Sequence, residues 1–213
     1  MNYVVSIVLV LSLLGCQQQM SNDERTAAQE DMKSQEVKKV NKADIYASGL
    51  IKGRTIADSA QILLQKHLST AIQDSGLVKA LVYCNTSAYP LIETLANKDI
   101  IVRRVSNDWR NPLDAPDDME ALLLDAYNYN IENDQPLEES IQEFDNKYLI
   151  YTRPIVASNT LCLQCHGENL SPELRNTIAN LYPDDKALNH QLNDLRGMWS
   201  IKLPVKDIVK SLD

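Results

Sequence analysis

Between Ala43 and about Asp74 the apolar positions recur at helical spacing. Ile56, Ala60, Leu63, Leu64, His67 and Ala71 share one face, and Gly76 marks a break. Beyond it Leu77, Leu81, Cys84 and Ala88 form a second stripe, which Pro90 ends, kinks or restarts into a turn reaching Ala96. The period then changes. "DIIVRRVS" (99–106) predicts a strand and "WRNPLDAPDD" (109–118) a loop, with "MEALLLDAYNYN" a further helix. "IQEFDNKYLIYTRPIVAS" (141–158) predicts one or two strands about a turn near Asp145-Asn146. "TLCLQCHGENL" (160–170) reads as a loop, followed by a short helix opened by Ser171-Pro172-Glu173. "RGMWSIKLPV" (196–205) predicts the last strand, with a short helix after it. Helices followed by strands without a βαβ rhythm point to an α+β fold with an antiparallel sheet.

The N-terminus has a different pattern. Val4 to Leu14 is almost wholly apolar, too short to span a bilayer but the length of a signal-peptide core. It ends in Leu13-Leu14-Gly15-Cys16, which resembles the lipobox of bacterial lipoproteins; that likeness implies cleavage before Cys16 and lipid on its sulfur and amine. The segment before it lacks Lys and Arg, so the α-amino group must supply the positive charge. A plain signal peptide or short anchor is the alternative, and either sends the chain outside the cytoplasm. The polar stretch that follows reads as a tether, partly helical at most, reaching roughly 25–30 Å as a coil. The expected organisation is a signal peptide at 1–15, a lipidated N-terminus and tether at 16–42, and one domain at 43–213.

Composition narrows the classes. The 213 residues are 44% hydrophobic and 23% charged, with a net charge of −8. Such a balance excludes nucleic acid, because nothing in it would neutralise phosphates. Of four cysteines, Cys16 goes to lipid and Cys162 and Cys165 lie in the motif, leaving Cys84 unpaired in a chain expected to be exported.

The motif Cys162-x-x-Cys165-His166 has three chemistries to choose among. A zinc site needs four tetrahedral ligands, and the consecutive Cys165 and His166 would bind one small ion at strained angles. A redox dithiol would make no use of His166 and lacks the expected βαβ context. Haem attachment uses every residue: Cys162 and Cys165 form thioethers with the vinyl groups, and His166 becomes the proximal iron ligand. The expected cofactor is therefore one covalent haem c.

The segments "YCNTSAYPLI", "VRRVSNDWRNPLDAPDDME", "YLIYTRPIVASNTLCLQCHG" and "YPDDKALNHQLNDLRGMWSI" occur in this order between about Asn41 and Val205. In this they resemble a family of bacterial single-haem c-type domains with a PAS-like fold, with a looser fit in "KALNHQLND". The resemblance implies a PAS-like antiparallel sheet with long N-terminal helices and the haem attached in a loop before the last strand. It also implies a sensing role.

The second axial position has several candidates. Cys84 on its apolar stripe reads equally as a small buried hydrophobe; the resemblance implies that it ligates iron opposite His166. His67, His190, Met119 and Met198 are the others. For the haem propionates, Arg103, Arg104, Arg110 and Arg153 lie in the matching segments, with Arg110 and Arg153 preferred because neighbouring prolines fix their backbone. "DAPDDME" lacks the spacing of a calcium loop and reads as a capped helix start. The expected function is redox or small-ligand sensing by a lipid-anchored protein in the cell envelope, on the periplasmic side or the outer face of a membrane. The alternative is electron transfer between envelope redox partners. A protein redox or signalling partner and a small gaseous ligand are expected with the first, and no residue pattern marks an enzyme.

Overall fold

The computed structural model describes residues 21–34, 40–96 and 99–212. The signal segment and Cys16 lie outside the described residues. Two compact units are present, Met1–Lys39 and Val40–Asp213. In the first, helix α1 (Asn22–Ser34) opens with a capping box: Ser21 Oγ accepts from the Glu24 amide, and Glu24 accepts from the Ser21 amide.

The second unit starts with α2 (Lys42–Glu93), capped by the Asn41 side chain. Gly76 interrupts it at φ 77°, ψ 173°, a conformation only glycine adopts readily. His67 Nδ1 and Tyr83 Oη, 16 residues apart, are 3.0 Å from each other. A straight helix would hold those positions about 24 Å apart, so the chain folds back at Gly76 into two arms. Pro90, unlike Gly76, does not end the helix, which runs on to Glu93.

The strands are β1 (Ile101–Val105), β2 (Ser140–Glu143), β3 (Tyr148–Val156) and β4 (Leu195–Pro204). They form one antiparallel sheet in the order β1-β4-β3-β2. Helix α3 (Asp118–Glu132) begins at a capping box between Asp117 and Glu120, so "DAPDDME" is a helix start. Helices α4 (Thr160–His166), α5 (Pro172–Leu181) and α6 (Val205–Lys210) complete the unit.

Strand alternation divides the sheet into two faces. One carries Tyr151, Trp199, Ile201 and Leu203 and packs with Ala57 and Ala60 of the first α2 arm. There the helix comes close: a Cβ at Gly53 would lie 2.3 Å from Tyr151 Cγ. The other face carries Val105 and Met198 against Leu124 and Tyr127 of α3. A third cluster joins Leu81 of the second α2 arm to Leu174 and Ile178 of α5, with Cys165 of α4 packed against it.

The α+β architecture follows the sequence expectation, with one correction. The Cys-x-x-Cys-His motif is not in a loop: it forms α4, while the expected short helix α5 follows it before β4. Asn159 nucleates the helix, its side chain accepting from the Leu161 and Cys162 amides at 3.0 and 3.4 Å. No helix among the described residues is long and apolar enough to cross a membrane.

Candidate functional site

Helical spacing brings Cys162, Cys165 and His166 onto one side of α4, at positions i, i+3 and i+4. All three line a cavity of about 490 Å³ enclosed by both α2 arms, the ends of β1 and β3, and the loop after β1. That volume lies within the usual range for small-molecule and cofactor sites. Leu64, Leu68 and Ile72 of the first arm, Leu81 of the second, and Ile155 and Trp199 of the sheet give it apolar walls.

His166 is held in one tautomer. Its Nδ1 lies 2.9 Å from the Ala187 carbonyl oxygen, which can only accept, so Nδ1 carries the proton and Nε2 the free lone pair. The backbone is tied as well, since the His190 amide donates to the His166 carbonyl at 2.9 Å. Burial, with Arg196, Arg110 and Arg104 adding repulsion, holds the imidazole pKa well below the ordinary 6.5 despite the Ala187 bond. The ring is neutral at neutral pH and able to bind a metal ion.

Cys84 lines the same cavity from the second α2 arm. Burial raises its thiol pKa, and the positive charges of Arg104 and Arg110 oppose that rise. Cys84, Cys162 and Cys165 are all free thiols. Among the described residues no three His, Cys, Asp or Glu side chains converge as a metal cluster, so the tetrahedral zinc reading finds no site there.

The other candidate axial ligands lie elsewhere. His67 binds Tyr83, and Met198 is buried on the α3 face of the sheet. Neither they nor Met119 and His190 line the cavity. His190 instead stands beside His166, ring centroids 6.4 Å apart, its Nε2 accepting from Arg196 at 3.0 Å.

The arginines separate in an informative way. Arg110 reaches the cavity but is buried among its own partners. Its Nε and Nη2 bind Asp185 at 3.2 and 3.3 Å, and Nη2 also donates to Cys165 O at 2.7 Å and Ala187 O at 3.3 Å. It thus joins α4 to the loop that orients His166. Arg153 does not line the cavity and pairs with Asp58. The register explains why: Arg104, Trp199 and Arg153 form one row across β1, β4 and β3. Trp199, its indole Nε1 donating to Gln61 at 3.1 Å, stands between the two arginines. Arg104 lines the cavity on one side of it. Arg103, one residue earlier, faces the other way and pairs with Glu120. Sequence reasoning missed Arg196, which also lines the cavity. Its position, three residues before the tryptophan on a predicted strand, was the only available signal.

Two thiols and an imidazole on one wall, a third thiol on another and guanidinium groups near both can hold a flat cofactor. Comparison with known proteins bears on this arrangement. The crystal structure of the cyanobacterial heme-protein Tll0287 is similar at 25% identity and a TM-score of 0.56, over 78% of this chain and 97% of that chain. A search of curated proteins returned no match. The family described as Tll0287-like matches residues 16–204, most of the chain, and this protein therefore belongs to the Tll0287-like family.

Proposed function

We propose that this chain is a mono-haem c-type protein, exported and lipid-anchored through Cys16, that senses redox state or a small ligand in the cell envelope. In this reading Cys162 and Cys165 would hold the haem covalently through their sulfurs. His166 Nε2 and Cys84 would bind its iron. The observation that carries the reading is the His166–Ala187 hydrogen bond, which presents Nε2 to a cavity that Cys162 and Cys165 also line. The heme-protein relative and the shared family support haem as the cofactor. An iron-bound thiolate also accounts for an unpaired cysteine in an exported chain.

The test is expression with a haem-attachment system, followed by absorption and EPR spectra beside a Cys84→Ser variant. Expected are haem that survives denaturation and a low-spin thiolate signal that the variant loses. Identical spectra from both proteins would remove Cys84 from the iron, and a protein without covalent haem would overturn the c-type reading.

A second reading, electron transfer between envelope partners, draws on the acidic surface implied by the net charge of −8, which suits a basic partner. A ligand displaced by carbon monoxide or nitric oxide favours sensing. Fast reversible reduction with no displaceable ligand favours transfer.

A further inference from the structure

Three arginines line the cavity, Arg104, Arg110 and Arg196, against one carboxylate, Asp114. The lining is cationic in a chain whose net charge is −8. Arg110 is occupied by Asp185 and two backbone carbonyls. Arg104 is held from one side only: its Nη2 donates to Asp114 at 3.4 Å, and Tyr89 fixes that carboxylate by donating to it at 2.6 Å. The Arg104 side chain keeps 41% of its surface exposed. Arg196 donates through Nη1 to the Asp108 carbonyl at 3.2 Å and to His190. It makes no ion pair with any carboxylate among the described residues. Burial, then repulsion from Arg104 and Arg110, draws its pKa down to about 10.

An enclosed guanidinium without a carboxylate, beside two others, is unfavourable until an anion arrives. We propose that Arg104 and Arg196 form a clamp for the two carboxylate groups of the cofactor, the haem propionates, with Tyr89 and Asp114 as positioning residues for Arg104. The assignment rests on the haem reading above. It places the propionates on the cavity side of Trp199 and assigns Arg153 no contact with them. Guanidinium groups suit the task because each offers two parallel N–H donors to a carboxylate.

The test uses the full-length holoprotein and measures midpoint potential against pH. Reduction adds an electron beside the propionates and favours their protonation, so the potential depends on pH around the propionate pKa. A neighbouring guanidinium keeps that pH window low. Replacing Arg196→Gln or Arg104→Gln should move the window up by about one pH unit or more, while Arg153→Gln leaves it in place. If Arg196→Gln fails to fold by circular dichroism, Arg196→Lys substitutes, with a smaller upward shift because the charge stays and the paired donors go. Attached haem with the same window in wild type and both cavity variants overturns the clamp and leaves the haem reading standing. Absence of attached haem from the wild type overturns the haem reading, and the clamp with it.

Discussion

His166 Nδ1 donates to the Ala187 carbonyl oxygen at 2.9 Å, and Arg110 Nη2 reaches the same oxygen at 3.3 Å. The imidazole's orientation is therefore set by a loop 21 residues away and by an arginine from a third segment. That shared oxygen makes Arg110 structural as much as electrostatic.

Removing Arg110 should therefore cost stability. Asp185 is 5% exposed and would lose its ion-pair partner in the interior. Arg110→Ala is expected to lose about 3 kcal/mol in urea unfolding. Arg110→Lys should recover only part, since one ammonium cannot span both Asp185 oxygens and the two carbonyls. A loss below 1 kcal/mol in the alanine variant would contradict the role.

Two glycines in α2 should respond for different reasons. Gly53→Ala puts a methyl group 2.3 Å from Tyr151 Cγ, inside van der Waals contact, and should cost about 3 kcal/mol. Gly76→Ala meets nothing within 4 Å but must adopt φ 77°, and should cost about 2 kcal/mol through backbone strain alone. Thermal unfolding of both variants checks the pair. Trimming Tyr151 to Ala should relieve the first penalty and leave the second untouched.

Acid should weaken the contact between α2 and the segment before β2. The Arg54 hydrogen bond holds the Glu139 carboxyl below its ordinary 4.5, with further help from Tyr151 and Arg153 against the opposing effect of burial. Since the folded-state pKa is depressed, the stabilisation is present above pH 4.5 and fades as pH falls through the folded value. Glu139→Gln should lower the melting temperature at neutral pH and flatten its decline below pH 4.5. Parallel acid profiles for the two proteins would contradict the assignment.

Glu120 offers a control on the far face of the sheet. It is fully buried, paired with Arg103, accepts from Ser200 Oγ at 2.7 Å, and closes the α3 capping box. Glu120→Gln turns one acceptor into a donor facing these groups and should cost about 2 kcal/mol. Because the sheet separates Glu120 from the cavity, the haem spectra should not change. Urea unfolding and absorption spectra together test both halves of that expectation.

Much of the fold was legible because periodicity is local. The Gly76 break, the strand near 101–105, the turn at Asp145-Asn146 and the Ser171 cap each follow from a few neighbouring residues. The motif's placement in a loop was wrong because seven residues carry little periodic signal. Asn159, which starts that helix, lies just outside the motif. Strand alternation could place Arg103 and Arg104 on opposite faces, but not say which face would border a cavity. Nor could it show that Trp199 would stand between Arg104 and Arg153 in the assembled sheet.

By itself the sequence determined the chemical groups and their spacing: two thiols and an imidazole within five consecutive positions, and a lone Cys84 on an apolar helical stripe. Only the tertiary structure decided which arginines face the cavity and which atom of His166 stays free. The Ala187 oxygen is backbone, identical in every residue, and becomes a specific acceptor only when long-range packing brings it to the ring.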